Sequence, residues 1–338
     1  MKKTFMVLFK FLIEDLKSLF YIIFRCKCDI CFFNENNFTF KYLEYYVVKK
    51  RKKKILIITF KKIIKEIDNA IILNVYTDFF KQLIFLVLDV KLVYTTTPGI
   101  NETIFKKSIL NKKTKYLYIQ HSPVSLTNAY KEKTFNNYNY IQVINNFQLN
   151  EVNEINEKFD LNIRAIKTRY HFIDKFNNEN FSNKTLIAPT WGTDFYHQHI
   201  IEQLVHILEK RNIDYVFRPH YMSLKKNEFD LIALKKIIKN IDLDPNLNLG
   251  TYSNLISDWS GIYLEFCLIH KKKCFLINTS QKNFNDVMRS NTIEETLRQS
   301  WSNNYDTNEL ENLVDKLENE KNNEHKINLV VEIKKYFY

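Results

Sequence analysis

Glycine and proline are scarce in this 338-residue chain: four Gly and five Pro, with only three Trp, against 27 Phe and 20 Tyr. That scarcity excludes a collagen-like or linker-like chain, and a hydrophobic content of 45% excludes a disordered one. The length allows two domains of ordinary size. The text is biased toward Lys, Asn, Ile, Phe and Tyr, so single Lys or Asn residues carry little meaning. The rare residues carry more, because Gly or Pro in such a chain marks a backbone turn or stop. No Gly-x-Gly-x-x-Gly run and no Walker-type Gly-Lys loop is present.

The cysteines number five, Cys26, Cys28, Cys31, Cys267 and Cys274. An odd count without a secretory signal predicts reduced thiols in a cytosol. Cys26, Cys28 and Cys31 lack a fourth Cys or His at zinc spacing, and Ile30, Phe32 and Phe33 around them read as a buried strand. No metal site and no cofactor are expected. No apolar run reaches the roughly 20 residues of a membrane-spanning helix. Lys2 and Lys3 before Phe5–Phe9 mimic a signal peptide, but Lys10, Glu14, Asp15 and Lys17 interrupt the run and no small-residue cleavage site follows. Phe5, Leu8, Phe9, Leu12, Ile13, Leu16, Leu19 and Phe20 recur at helical spacing. They predict an amphipathic helix over residues 1–25, either packed on the body or lying on a membrane surface.

The net charge of +12 points to anionic partners. The densest basic run, Lys49-Lys50-Arg51-Lys52-Lys53-Lys54, has no interleaved aromatics and belongs to no nucleic-acid motif. It reads as a solvated helix end before a strand, or as a contact with an anionic membrane surface. Nucleic acid is not an expected partner.

Short apolar runs alternate with helical patterns. Ile55–Phe60, Ala70–Val75, Val90–Tyr94, Tyr116–Gln120 and Tyr140–Ile144 read as strands of a first set. Thr185–Pro189, Tyr215–Pro219, Leu255–Asp258 and Lys273–Ile277 form a second set, with helices over His197–Arg211 and from Ile262, and terminal helices over 292–322. This is the rhythm of open parallel α/β sheets. The predicted organisation is an amphipathic helix over 1–25, a Rossmann-like acceptor domain over 26–176, a Rossmann-like donor domain over 177–300 and C-terminal helices over 301–338. Asn177–Asn183 is the linker, and the two sheets face a central cleft.

In such sheets ligands bind at the carboxyl ends of strands. Four of the five prolines and three of the four glycines fall at predicted strand ends, in Thr97-Pro98-Gly99, His121-Ser122-Pro123, Pro189–Thr193, Arg218-Pro219-His220 and Ser257–Gly261. Ser257-Asp258-Trp259-Ser260-Gly261 runs from a strand into a helix, where backbone amides attract a phosphate. Ser257 and Ser260 add hydroxyls, and Gly261 permits close approach. Asp258 caps the helix, holds the loop or accepts from a substrate hydroxyl. Arg218 offers a fork to phosphate and His220 a proton or hydrogen bond. His121 is a candidate base for an attacking hydroxyl.

These residues resemble a known family. Leu255-Ile256-Ser257-Asp258-Trp259-Ser260-Gly261-Ile262-Tyr263-Leu264-Glu265-Phe266 is similar to the signature of the CDP-glycerol glycerophosphotransferases, the teichoic-acid polymerase family. Ile187–Trp191 resembles their Ala-Pro-Thr-Trp element, and Phe217–His220 their Arg-Pro-His element. Tyr118–Ser122 through Tyr130 and Phe135 resembles a subset with His-Ser in place of His-Gly. The similarity covers residues 85–300, with its motifs in the family's order.

The resemblance implies a GT-B fold and a peripheral place on the cytoplasmic face of the plasma membrane. It implies transfer of a polyol phosphate, glycerol phosphate foremost, from a CDP-activated donor to a hydroxyl of a lipid-linked or growing cell-surface glycan, with release of CMP. It implies His121 as acceptor base, with His220 and Asp258 completing the catalytic set. Arg218 and His220 would stabilise the donor pyrophosphate. Ser257, Asp258, Ser260 and Gly261 would hold the donor phosphates, Thr190 and Gly192 would line the same cleft, and Glu265 would reach the donor ribose. Ser122-Pro123 departs from the polymerases, which leaves open a different donor or acceptor. The alternatives are a GT-B glycosyltransferase using a nucleotide sugar for capsule or lipopolysaccharide, and a non-catalytic membrane-bound scaffold.

Overall fold

A computed structural model describes residues 2–35, 37–50, 52–59, 67–176, 182–244, 248–280, 292–322 and 330–337. They form two compact units. The first comprises Met1–His121 and Tyr130–Phe172, the second Ser122–Ala129 and Ile173–Phe337.

The first unit is built on strands β1 (Ile30–Asn34), β2 (Ile55–Thr59), β3 (Ala70–Asn74), β4 (Leu92–Thr95), β5 (Lys115–Tyr118), β6 (Tyr140–Val143) and β7 (Arg164–Lys167). Their order is β3-β2-β1-β4-β5-β6-β7, and every neighbouring pair is parallel. β1 and β2 are buried at every position. A parallel strand covered on both faces reads as a continuous apolar run, which is why the sequence shows these strands plainly. The exception is β7, Arg-Ala-Ile-Lys at the sheet edge with exposed ends, which no apolar run announces.

The second unit holds β8 (Ser182–Ile187), β9 (Tyr215–Phe217), β10 (Tyr252–Ser257), β11 (Cys274–Asn278) and β12 (Ser302–Asp306), in the order β12-β11-β10-β8-β9, again all parallel. The strand order reverses between β8 and β10, as it does between β1 and β4 in the first sheet. These are the switch points where a doubly wound sheet opens a crevice.

The helices in chain order are α1 (Lys2–Phe24), α2 (Asn37–Lys50), α3 (Asp78–Leu86), α4 (Leu126–Ala129), α5 (Asn146–Phe159) and α6 (Gln198–Lys210). They continue with α7 (Tyr221–Lys226), α8 (Leu231–Ile237), α9 (Ile262–His270), α10 (Ile293–Trp301), α11 (Leu310–Asn322) and α12 (Val330–Tyr336). Local chemistry fixes several starts. Thr77 caps α3 by accepting from the Phe80 amide, Asn145 caps α5, and Thr292 with Glu295 closes a capping box on α10. α9 is buried at six consecutive positions, Tyr263–Leu268, as a helix lying against a sheet inside a large unit must be.

One sequence expectation needs correction, and two others fall partly on residues outside the description. The stretch 292–322 is not helical throughout, because Ser302–Asp306 forms the polar edge strand β12. Residues 301–338 are therefore not a purely helical tail. The expected linker Asn177–Asn183 runs into β8 from Ser182, and its residues 177–181 lie outside the described residues. Phe60 and Arg51, read as a strand end and part of the basic run, also lie outside them. Lys49 and Lys50 end α2, and exposed Lys52–Lys54 precede β2. Among the described residues no helix is long and apolar enough to cross a membrane.

Candidate functional site

Of the ten residues singled out by sequence, nine belong to the second unit and His121 to the first, and each set is described in its own unit.

In the second unit, the loops following β8, β9 and β10 carry Pro189–Thr193, Arg218–His220 and Asp258–Gly261, beside the switch point. Asp258 is the hub. It is fully buried. One carboxylate oxygen accepts from the Thr190 amide at 2.8 Å, and the other from the hydroxyls of Thr193 at 2.9 Å and Thr279 at 3.3 Å. Its backbone carbonyl accepts from Arg298 at 2.8 Å. Burial raises its pKa, and the three hydrogen bonds and the Arg298 charge oppose that rise. A desolvated carboxylate costs several kcal/mol unless donors replace its water, at about that order of magnitude. Here three donors from two loops do so.

Asp258 therefore pins loops together, which is one of the three roles the sequence offers for it, and no face of its carboxylate reaches solvent. Ser257 is fully buried and its hydroxyl donates to the Ala188 carbonyl at 2.6 Å, locking β10 to β8. Gly261 makes room for a protein neighbour. A Cβ built there would lie 2.3 Å from Val124 Cγ1 and 2.5 Å from Ser122 Oγ, so the Ser122–Val124 segment occupies the space that glycine opens. The Ser125 amide on the same segment donates to Glu294 at 2.9 Å. Glu265 is buried on α9.

The remaining predicted residues are partly exposed or exposed. Ser260 Oγ approaches the Ile262 amide at the start of α9, a long contact of 3.5 Å. Thr190 is half-buried. Gly192 adopts a left-handed φ of 73° and its amide donates to Glu228 at 2.8 Å. Arg218 is held by Asp242 at 2.8 Å, so part of its charge is already matched. His220 caps the short helix α7. Its Nδ1 accepts from the Met222 amide at 3.1 Å, which places the proton of the neutral ring on Nε2. Its own amide donates to the Tyr196 hydroxyl at 2.8 Å.

Sequence reasoning passed over several contributors here. Arg298 lies beneath the loop, donating also to the Ile277 carbonyl and to Asn278, with its guanidinium 4.2 Å from the Trp259 ring. Trp259 donates to the Thr279 carbonyl at 2.9 Å. Lys226 lies 4.1 Å from the Trp191 ring. Nothing local in the text marks Arg298 or Thr279, because their partners are distant in sequence. Thr193, by contrast, stood inside a loop that the rare Pro and Gly had flagged.

In the first unit His121 follows β5 and is half-buried. Its Nδ1 lies 2.7 Å from the Thr96 carbonyl, just beyond β4. A carbonyl only accepts, so the proton is on Nδ1 and the Nε2 lone pair points to the Tyr130 hydroxyl at 3.2 Å. Burial pushes the imidazole down to about 4, so it is neutral at physiological pH. Tyr42, Tyr118 and Tyr130 surround the ring, and Tyr118 also joins its hydroxyl to that of Tyr130 at 3.0 Å.

No protein-family model and no curated protein sequence matches the chain. Solved structures do resemble it. A variant of the wall teichoic acid polymerase TagF is 14% identical, covers 94% of this chain and 91% of that one, and gives a TM-score of 0.52. A second TagF variant, soaked with CDPG, is 14% identical over 83% and 80% of the two chains at 0.51. A protein from Listeria monocytogenes described as a UDP-N-acetylglucosamine 2-epimerase is 9% identical over 89% and 90% at 0.50. At such identities the likeness establishes the fold, a GT-B type with two parallel-sheet units.

Proposed function

We propose that the protein is a transferase that moves a polyol phosphate, glycerol phosphate foremost, from a CDP-activated donor to a hydroxyl of a lipid-linked or growing cell-surface glycan, releasing CMP. What carries this reading is the position of three motifs. The Ala-Pro-Thr-Trp, Arg-Pro-His and Ser-Asp-Trp-Ser-Gly elements follow β8, β9 and β10, with two of those strands flanking the switch point of one sheet. The likeness to two TagF structures, one of them soaked with CDPG, agrees with it.

In this reading the second unit holds the donor. The Nε2–H of His220, the Arg218 guanidinium, the Thr190 and Ser260 hydroxyls and the backbone around Gly192 supply donors to its phosphates. Asp258 and Ser257 hold the loops that present them. The acceptor oxygen attacks the phosphorus that carries the polyol, and the bond from that phosphorus to the CMP oxygen breaks. His121 in the first unit takes the acceptor proton on Nε2, displacing the Tyr130 hydroxyl. Phosphoryl transfer passes through a loose transition state, so positioned donors and charge do most of the work.

Mass spectrometry of nucleotide products after incubation with CDP-glycerol, CDP-ribitol and a panel of sugar nucleotides is expected to show CMP from a CDP-polyol alone. Turnover of a sugar nucleotide alone would replace this reading with that of a glycosyltransferase. His121→Ala and His220→Ala are each expected to slow turnover by about 10²–10⁴-fold, with melting temperatures close to wild type. Unchanged turnover in both would favour a scaffold.

A further inference from the structure

Tyr130 follows α4 in the chain and lies outside any helix or strand, with its side chain half-buried. Its hydroxyl is the group that meets Nε2 of His121, at 3.2 Å, and both residues belong to the first unit. The protons fix the direction of this contact. Nδ1 gives its proton to the Thr96 carbonyl, so Nε2 offers only a lone pair and Tyr130 donates to it. That uses the single proton of Tyr130. The 3.0 Å contact between the two phenols is therefore made by the Tyr118 hydroxyl donating to the Tyr130 oxygen. The Tyr130 hydroxyl thus does what the hydroxyl of a nucleophile does at a general base: it donates to the basic nitrogen and accepts a second hydrogen bond.

The two tyrosines are held differently. Tyr118 is fully buried at the end of β5, with Phe135 and Tyr138 edge-on to its ring at 5.1 and 5.8 Å. Burial drives its phenol well above the ordinary value, so it stays protonated and remains a donor. Tyr130 sits on irregular backbone, so its hydroxyl can leave Nε2 without breaking a helix or a strand. A neutral hydrogen bond of this kind is worth about two- to tenfold in occupancy, which a bound substrate can outweigh.

On the reading of His121 as the acceptor base, we infer that Tyr130 is a positioning residue that occupies Nε2 in place of the nucleophile. It keeps water off the base until an acceptor hydroxyl displaces it and takes over the hydrogen bond from Tyr118. The reaction thereby avoided is hydrolysis. A water molecule at Nε2 would lose a proton to that nitrogen while its oxygen bonded to the donor phosphorus and the bond to the nucleotide oxygen broke. The product would be a free polyol phosphate beside the nucleotide. Water brings one hydrogen-bonding group, whereas an acceptor brings further contacts that offset the displacement of Tyr130. Excluding water from a group-transfer site suppresses this side reaction.

Nucleotide release from whichever donor the wild type consumes, measured without acceptor and with free glycerol as the acceptor probe, tests the gate. Tyr130→Phe is expected to raise acceptor-free release about fivefold, the effect of one neutral hydrogen bond. The rise is expected to vanish when His121→Ala is added. Tyr118→Phe leaves Tyr130 on Nε2; it is expected to give no rise, and to lower the glycerol-dependent release about fivefold. A damaged fold lowers release, so a gain in hydrolysis separates a gate from a purely structural tyrosine. Nitrogen-15 NMR of the histidine-labelled full chain reads the same contact with no donor present, and the His121 Nε2 resonance is expected to move in Tyr130→Phe. A wild type that releases no nucleotide from any donor would overturn the proposed function and leave that resonance to decide the gate. Three results would overturn the inference: acceptor-free release unchanged or lower in Tyr130→Phe, a rise that persists without His121, or an unmoved Nε2 resonance.

Discussion

The carboxylate of Asp258 receives one amide and two hydroxyl hydrogen bonds, and the kind of donor decides what each substitution does. Asp258→Ala leaves the Thr190 amide and both hydroxyls without an acceptor in a site closed to water, and is expected to lower stability by about 3 kcal/mol. Asp258→Asn keeps an oxygen for the Thr190 amide, and the hydroxyls of Thr193 and Thr279 rotate to accept from the new NH2. Its loss is expected to be distinctly smaller, an ordering that denaturant titration of the two variants checks. Histidine sets the acid limit. Folded His121 and His270 are each pushed by burial down to about 4 from an ordinary 6.5. Between those values the unfolded chain binds protons that the folded chain does not. The contribution of these two groups is therefore full above about 6.5 and is lost as pH falls toward 4. His270 holds the Leu249 carbonyl at 3.0 Å and lies outside the proposed chemistry. His270→Gln is expected to make the fall of melting temperature over that window shallower.

At the scale of elements, the turn from β10 into α9 shows how one glycine answers to packing and not to conformation. Gly261 has φ −58° and ψ −12°, which any residue adopts, so alanine there suffers no backbone strain. The Cβ would instead meet Val124, whose β-branched side chain yields poorly. Gly261→Ala is expected to cost about 1–3 kcal/mol, and adding Val124→Ala to recover a good part of it. A double-mutant cycle by thermal melting reads that coupling directly. Element identity was legible wherever a strand is buried on both faces, as in β1, β2 and β11. β7 and β12 escaped because edge strands need little apolar content on their open side. α1 was legible as an amphipathic helix, but not the direction in which it faces. Periodicity tells which residues share a side, and Asp15 decides which side is inward through amides 61 and 62 residues away.

For the molecule as a whole, the alternation of apolar runs with helical patterns was enough to read two parallel-sheet units, because parallel strands demand crossover helices and continuous apolar cores; the GT-B type came from the resemblance of the motifs. The loops at the ends of β8, β9 and β10 were legible too, since a chain with four glycines and five prolines places them there at a cost in regular structure. The sequence by itself thus determined the fold class, the alternating order of the elements and the loops from which candidate residues come. It did not determine what each residue in those loops does. Ser257 and Asp258, expected to touch a donor, turn inward to Ala188, Thr190, Thr193 and Thr279, and Arg298 supports them from a helix with no motif. Only the tertiary structure decided these roles. A hydrogen bond spanning 65 or 68 residues leaves no local trace in the text, whereas burial at a strand repeat leaves one at every position.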